Sequence, residues 1–192
     1  MPRNRDDVRA RLQQAGLELF AEHCYDATTA AEIAARAGVT ERTFFRHFAD
    51  KREILFDEDP GLRPALTAAV AAAPQGAAPM AILAGAFASL EPMLLANRPF
   101  TEPRIQVIAA NPALIERAEA KAASLTALLA TALQQRGVEP KLAGLAARAA
   151  MAAFSYATTS WREDPSLSLA AHLDRAFQTL HGLSSPNLEP GS

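Results

Sequence analysis

The chain of 192 residues is 49% apolar and 21% charged, and its formal net charge is −2. This composition excludes a disordered chain, and the length is enough for one sizeable core or two smaller ones. Because the chain is nearly neutral, it has no overall electrostatic preference for nucleic acid, so DNA binding would need a local basic patch.

Membrane and redox functions find little support in the sequence. We find no stretch approaching about 20 charge-free apolar residues, and the start MPRNRDDVRARL lacks the apolar centre of a secretory signal. The protein is therefore expected in the cytoplasm. Cys24 is the single cysteine, which excludes an internal disulfide and a CxxC zinc pair, and His23 and Cys24 alone are too few ligands for a metal. We expect no cofactor.

The N-terminal part of the chain predicts two helices joined by a loop. The second begins at Ala30, because Thr29 and Glu32 have the S/T-x-x-E spacing of a capping box, and it ends at Gly38, which tolerates the left-handed conformation of a helix end. The first helix ends near His23. Its apolar stripe comprises Val8, Leu12, Ala15, Leu19 and Phe20.

Two more short helices follow. Val39 is expected as a buried plug, Thr40 caps a third helix that runs to about Phe48, and Asp50 caps a fourth over residues 51–56. The pair of helices over residues 29–48 has the form of a helix-turn-helix, which places its second helix in the major groove of DNA. A short helix pair of this kind can also serve packing alone.

The rest of the chain is rich in alanine and leucine at helical spacing and shows no alternating strand pattern, so the fold class is all-α. Proline and glycine mark the corners, and Pro92 is expected to kink a helix. Predicted helices cover residues 61–73, 78–97, 101–110, 112–136, 140–162 and 165–183. The predicted division is a helix-turn-helix domain over 1–58, a helical ligand-binding and dimerisation domain over 59–185, and a flexible tail over 186–192.

The segment from Leu17 to Phe56 resembles the DNA-binding domain of TetR-type regulators without a gap. The resemblance rests on ATT before the second helix, EIAARAGV through it, and TFFRHFADK across the third and fourth. It implies a three-helix DNA-binding domain, nine or ten helices in all, a homodimer, and a C-terminal helical bundle whose ligand controls DNA affinity. Beyond residue 58 the similarity is architectural.

The resemblance and the helix geometry together assign DNA contacts. Arg42 is the candidate for a bidentate contact to guanine, Phe44 for a contact to a thymine methyl group, and Arg46 for a base or the backbone. The family holds phosphates at the positions of Thr28, Thr29, His47 and Lys51. The predicted DNA contacts are Thr28, Thr29, Thr40, Glu41, Arg42, Thr43, Phe44, Phe45, Arg46, His47 and Lys51.

Two of these positions depart from the family. Phe45 stands where the family often has a tyrosine whose hydroxyl binds phosphate, and Glu41 would be repelled by DNA unless it accepts from a cytosine amino group. Phe48 is expected in the core. Arg3, Arg5 and Arg9 form either an arm on DNA or a solvated terminus.

The last two helices are expected to form the dimer. By resemblance they pack against the same pair of a second subunit as a four-helix bundle, and the alternative is an intramolecular core. The predicted interface residues are Ala147, Met151, Phe154, Thr158, Trp161, Leu169, Leu173, Phe177 and Leu180.

A small, apolar effector is expected among the helices of residues 61–136, with help from residues 140–162. Glu91 and Arg104 are the candidate polar anchors; Arg104 suits an anionic head, or forms an exposed salt bridge. The candidate lining residues are Phe87, Glu91, Met93, Phe100, Arg104, Ile108, Leu125 and Tyr156.

These patterns predict a ligand-responsive repressor that binds a palindromic, double-stranded DNA operator as a homodimer. One alternative is an enzyme on a helical bundle, which the sequence disfavours because it shows no nucleophile–base motif such as G-x-S-x-G. The other is a helical interaction or ligand-binding module that has lost operator binding, as Glu41 and Phe45 would allow.

Overall fold

The computed structural model describes residues 3–56 and 60–183, with side chains from Asp7 onward. Eleven helices and no strand occur in these residues, which confirms the all-α fold class. The predicted tail over 186–192 lies outside the described residues. The helices are α1 Arg3–His23, α2 Ala30–Arg36, α3 Glu41–His47, α4 Glu53–Phe56, α5 Leu62–Ala72, α6 Pro79–Ala88, α7 Glu91–Ala96, α8 Arg98–Ala109, α9 Pro112–Gln135, α10 Pro140–Glu163 and α11 Leu169–Gly182.

The predicted helix over residues 78–97 is two helices, α6 and α7. Pro92 does not kink a continuous helix, because it is the second residue of α7, where a missing backbone N–H costs no hydrogen bond. The predicted corner at Pro99 is likewise the first turn of α8. α11 starts four residues later than predicted, where the Ser168 side chain accepts a hydrogen bond from the backbone N–H of Ala171 at 3.2 Å.

The segment Pro79–Ala96 is long and apolar enough to cross a membrane by length and composition alone, contrary to the expectation that the chain has no such stretch. Its internal structure argues for a core element. The segment breaks between α6 and α7, its Glu91 accepts a hydrogen bond from the backbone N–H of Leu169 at 2.9 Å, and Leu83 and Phe87 are buried in a core cluster. These contacts place part of the segment in the core of the protein, and 28% of its residues are buried there.

The chain divides into two compact units. Unit 1 comprises Met1–Asp59 and Ala96–Ala120, and unit 2 comprises Pro60–Leu95 and Lys121–Ser192. The predicted boundary after residue 58 stays a prediction. Residues 96–120 differ from the prediction, because α8 packs against α1 and the fully buried Leu114 belongs to the core of unit 1.

Unit 1 is built around α1, which packs against α2, α4 and α8. The apolar stripe predicted for α1 is buried, which confirms that prediction. Gly16 allows the close approach of α1 and α4, because a Cβ atom at this position would lie 2.7 Å from Cδ1 of Ile54.

Unit 2 is built around α10, whose alanines are buried against α6 and α11. Small side chains allow helix backbones to approach closely. Phe87 of α6 stacks on Phe154 of α10 with ring centroids 4.3 Å apart. The buried alanines of α10 are Ala143, Ala146, Ala147, Ala150, Ala153 and Ala157.

Candidate nucleic-acid interface

The start of α2 has the predicted capping box. The Thr29 hydroxyl accepts from the backbone N–H of Glu32 at 3.2 Å, and the Glu32 carboxylate accepts from the backbone N–H of Thr29 at 2.8 Å. Hydrogen bonds from the side chain and backbone of Thr29 lower the pKa of Glu32. Two free N–H groups of the helix end are thus paired, which fixes where α2 begins.

The turn between α2 and α3 is also formed as predicted. Gly38 has a φ of +68°, in the left-handed region that favours glycine. Thr40 caps α3, since its hydroxyl accepts from the backbone N–H of Thr43 at 3.2 Å. Val39, predicted as a buried plug, is only partly buried against the core. Residues 29–48 therefore form a helix-turn-helix.

α3 has one buried and one exposed face. Phe44 is 0% exposed and Phe48 is 1% exposed, whereas Phe45 is 52% exposed. The prediction that Phe44 contacts a thymine methyl group is wrong, because its ring lies in the core of unit 1. The i, i+4 spacing of Phe44 and Phe48 was the sequence signal for this, since these positions share one helix face.

The exposed face of α3 carries Arg42, Phe45 and Arg46. Within the described residues, no ion pair engages Arg42 or Arg46, although Arg36 and Arg52 are both paired with carboxylates. The two guanidinium groups are thus available for an external acceptor, and an exposed ring lies between them in sequence. This is the side-chain chemistry that reads bases in a major groove.

Glu41 has a structural explanation. It is exposed in the first turn of α3, where a carboxylate interacts favourably with the partial positive charge of the helix N-terminus. A contact between Glu41 and cytosine stays a prediction, as do the contacts of Thr29, Thr40 and Thr43.

Thr28 does not offer its hydroxyl to DNA. The residue is 2% exposed, and its hydroxyl donates to the carbonyl oxygen of Cys24 at 2.9 Å and lies 3.3 Å from that of Leu19. The predicted side-chain phosphate contact is therefore wrong, because this hydroxyl is used to close the loop between α1 and α2.

Lys51 holds the same loop. Its Nζ donates to the carbonyl oxygens of Tyr25, Asp26 and Thr28 at 2.7, 3.2 and 2.8 Å, and it lies 4.4 Å from the centroid of the Tyr25 ring. An ammonium group has three donors, so a phosphate would have to replace one of these carbonyls. No local pattern in the sequence indicates this structural role, because the carbonyl partners lie more than 20 residues away, and the phosphate contact stays a prediction.

Arg9 and His47 meet at the end of α3. The Arg9 guanidinium donates to the backbone carbonyl of His47 at 3.2 Å and lies 4.7 Å from the centroid of the Phe48 ring. Arg9 is thus neither a free arm nor a solvated terminus. The His47 side chain is 9% exposed, and its phosphate contact stays a prediction. The side chains of Arg3 and Arg5 lie outside the described ones.

The predicted effector residues are divided between the two compact units. Phe100, Arg104 and Ile108 belong to unit 1, and the remaining five belong to unit 2. Phe87 is 1% exposed in the core, and Tyr156 is 63% exposed on α10. None of the predicted residues lines the cavity of about 300 Å³ beside Cys24 in unit 1 or the one of about 340 Å³ beside Arg136 in unit 2.

The predicted dimer interface is partly wrong. Ala147, Trp161, Leu169 and Leu173 are at most 5% exposed within one chain, so a second subunit cannot contact them extensively. They form the intramolecular core that the sequence left as the alternative. Met151, Phe154, Thr158, Phe177 and Leu180 are partly buried.

Cys24 lies exposed at the end of α1 with a φ of +63°. Among the described residues, no group of three or more His, Cys, Asp or Glu side chains could hold a metal ion.

One curated relative and one solved structure are similar to this chain over different lengths. TcmR of Streptomyces glaucescens, an HTH-type transcriptional regulator, is 39% identical over 80 residues, which is 42% of this chain. The chain spans about a third of the length of that relative, since the match covers 35% of it. Thermus thermophilus FadR, a transcriptional repressor solved with lauroyl-CoA, is 25% identical with a TM-score of 0.56, over 96% of this chain and 98% of FadR.

Further matches extend the similarity to both units. NalD of Pseudomonas aeruginosa, the secondary repressor of the MexAB-OprM efflux pump, has the same fold with a TM-score of 0.63 at 17% identity, over 93% of this chain and 96% of NalD. Residues 12–57 match the family model of bacterial regulatory proteins of the tetR family, and residues 77–183 match that of the MftR C-terminal domain. Since these two models cover most of its length, the chain belongs to the TetR family of transcriptional regulators.

Proposed function

We propose that this DNA-binding regulator is a homodimeric repressor that releases a palindromic operator when a small effector binds. The observation that carries the proposal is the division of α3, which buries Phe44 and Phe48 and presents Arg42, Phe45 and Arg46 outward. A helix anchored on one face by two phenylalanines can enter the major groove without losing its position on the protein.

Base reading is assigned to three side chains. Arg42 lies in the first turn of α3, where side chains meet base edges, and its planar fork matches the two acceptors of guanine. Arg46 lies one turn further along the same face. Phe45, which has no hydroxyl for phosphate, replaces Phe44 as the candidate for an apolar contact with a thymine methyl group.

Dimerisation is assigned to the exposed face of α10. Leu142, Leu145 and Tyr156 are 50%, 66% and 63% exposed, and they share that face with the small residue Ala152. Their spacing of three, seven and four residues keeps one stripe on one side of a helix. Large apolar side chains aligned on one exposed face are typical of an interface, and a dimer would supply the second α3 that a palindrome requires.

The effector response is supported by the relative that was solved with a ligand. FadR of Thermus thermophilus binds lauroyl-CoA and matches nearly the whole of this chain. We infer that the present chain also binds a small molecule with an apolar part, and that the bound state has a lower affinity for DNA. A ligand shifts such an equilibrium by its difference in affinity for the two states.

Binding to the DNA upstream of the chain's own gene tests the proposal. In fluorescence anisotropy, the wild-type protein should bind this DNA with a logarithmic salt dependence that reports its phosphate contacts. Arg42→Ala removes one base contact from each half-site of the dimer, so it should weaken binding about 30-fold or more, which corresponds to about 2–6 kcal/mol for two bidentate base contacts. Arg42→Lys is the matched control: it keeps the charge and should lose sequence preference while non-specific DNA binding persists.

The second candidate function is a helical interaction or ligand-binding module that has lost operator binding. Two features favour it: Glu41 is exposed next to Arg42 in the sequence, and Phe45 lacks a hydroxyl group that could bind phosphate. This candidate predicts the same weak affinity for upstream and unrelated DNA, and no effect of Arg42→Ala on the difference between them.

A further inference from the structure

Two arginines of α1 bind the C-terminal ends of the two helices of the helix-turn-helix. The Arg9 guanidinium donates to the backbone carbonyl of His47, the last residue of α3, at 3.2 Å. The Arg11 guanidinium donates to the backbone carbonyl of Ala37, the C-cap of α2, at 3.0 Å. One helix outside the pair therefore contacts the end of each member through a charged side chain.

A helix end is a favourable partner for a guanidinium group. The last carbonyl groups of a helix accept no hydrogen bond within the helix, and they carry a partial negative charge. A guanidinium supplies both the donors and the positive charge. α2 and α3 have seven residues each, and isolated helices of this length are unstable in water, so tertiary contacts must hold them in place. The two arginine contacts therefore help to fix the direction of α3.

The two arginines are themselves held in place. Arg9 lies 4.7 Å from the centroid of the Phe48 ring, which is 1% exposed, and Arg11 forms an ion pair with Asp7 at 3.5 Å. Both arginines belong to the 21-residue α1, whose Leu12 is fully buried in the core of unit 1. Residues two apart lie on different sides of a helix, so α1 can reach α2 with one arginine and α3 with the other.

We propose that Arg9 and Arg11 are positioning residues for DNA reading, which fix the orientation of α3 without contacting DNA themselves. By holding the ends of α3 and α2 against α1, they keep the exposed face with Arg42 in one orientation. This inference rests on the proposed base reading by Arg42. Without these contacts, α3 would occupy other orientations for part of the time, and the apparent affinity for DNA falls with the fraction of competent molecules.

Methionine at either position removes the donors and keeps an unbranched side chain. Fluorescence anisotropy compares wild type, Arg9→Met and Arg11→Met on the upstream DNA over a series of salt concentrations. Each variant should bind about 10-fold more weakly, because it loses a hydrogen bond from a charged group in each subunit. The slope of logarithmic affinity against logarithmic salt concentration should stay the same, since it counts phosphate contacts. A phosphate contact by Arg9 would instead reduce this slope by about 0.9 for each subunit.

Arg136→Met is the matched control. Arg136 also donates to backbone carbonyls at a helix end, those of Ala71 and Pro74 at 2.7 and 2.8 Å, but it belongs to unit 2. The control variant loses the same charge and the same kind of hydrogen bond, and it should bind the upstream DNA as the wild type does. Arg9→Lys keeps the charge and a donor on a long side chain, so it should recover part of the affinity lost in Arg9→Met.

Amide hydrogen exchange tests the positioning in the absence of DNA. In Arg9→Met, the amides of residues 41–48 should exchange faster than in the wild type, because the end of α3 opens more often. In Arg136→Met, the exchange of these amides should not change. Should a methionine variant fail to fold, Arg9→Lys or Arg11→Lys replaces it in both measurements, and a smaller effect in the same direction is expected.

Three results would overturn the inference: either methionine variant binds the upstream DNA as tightly as the wild type, the salt slope falls with the removed charge, or Arg136→Met loses as much affinity. If the wild type itself does not prefer the upstream DNA, the proposed repressor fails, and the exchange rates decide the inference. Faster exchange of residues 41–48 in Arg9→Met but not in Arg136→Met then supports it, and equal exchange overturns it.

Discussion

Phe44 and Phe45 are neighbours in α3, but Phe44 is buried in the core and Phe45 is exposed. Phe44→Ala should lower the free energy of unfolding by about 3–5 kcal/mol, because it empties a fully buried site. Phe45→Ala removes an exposed ring, so it should change stability by less than about 0.5 kcal/mol and weaken operator binding. Urea denaturation and DNA titration measure the two effects. A large loss of stability in the Phe45 variant would contradict the assigned faces.

Asp50 provides a prediction on pH. Hydrogen bonds from the Arg52 side chain, and from the backbone N–H groups of Arg52 and Glu53, lower its pKa. Because the folded state favours the charged form, the stabilisation is complete above the ordinary pKa of 3.8 and is lost as the pH falls through the lowered value.

Asp50→Asn keeps a capping oxygen and removes the charge, so it isolates this contribution. At pH 7 the free energy of unfolding of the wild type should exceed that of the variant by about 0.5 kcal/mol, since Asp50 is partly exposed and such ion pairs are weak. Urea denaturation from pH 7 to pH 2 should show the difference shrinking below about pH 4. A difference that stays constant over this range would count against the charged cap.

At the scale of elements, local chemistry predicts α1, α2 and α3 well. The Thr29–Glu32 box and the Thr40 cap act over three residues, so the sequence contains all their partners. The division of α6 and α7 was missed because Pro92 suits both a kink and a first helical turn. Distinguishing them requires knowledge of where the preceding helix packs, which is not local.

Gly16 tests the contact between α1 and α4. Gly16→Ala should lower stability by about 1 kcal/mol, because the new methyl group overlaps the buried Ile54, and a gain of helix propensity offsets only part of this cost.

Gly85→Ala in α6 is the matched control. Apart from the backbone of its own helix, nothing would lie within 4 Å of a Cβ atom at this position. This variant should therefore raise the free energy of unfolding by about 0.5–1 kcal/mol.

The double variant Gly16→Ala, Ile54→Val distinguishes overlap from a general effect on α1. Shortening Ile54 makes room for the methyl group, so the two substitutions should cost less together than the sum of their separate costs. Thermal or urea denaturation gives the free-energy change of each variant. If the change in the double variant equals the sum of the changes in the two single variants, the close contact is contradicted.

At the scale of the whole molecule, the sequence predicts a two-part helical regulator, but part of the α10 face that it assigns to the partner is buried within the chain. Ala147 and Trp161 share one helical stripe, and Leu142, Leu145 and Tyr156 share another. Both stripes are apolar, so periodicity does not identify the inner one. The alanine side packs inside the chain because small residues let α6 and α11 approach.

The outer stripe supports a prediction on assembly. Leu145→Glu should convert a dimer into a folded monomer with much weaker operator binding, because it places a charge on an exposed apolar interface. Sedimentation gives the mass and circular dichroism the folding. Ile115→Glu, on the 38% exposed Ile115 of α9, is the matched control and should stay dimeric. A dimer that survives Leu145→Glu would exclude this face.

The central claim is that α3 reads DNA from both halves of a dimer. Selection of bound sequences from a random duplex library tests it most directly, with wild-type and Arg42→Ala proteins in parallel. The wild type should enrich an inverted repeat whose half-sites lie about one helical turn apart or slightly more, with a guanine in each half whose preference disappears in the variant. Enrichment of no sequence, or of the same repeat with the same guanine by both proteins, would contradict the claim.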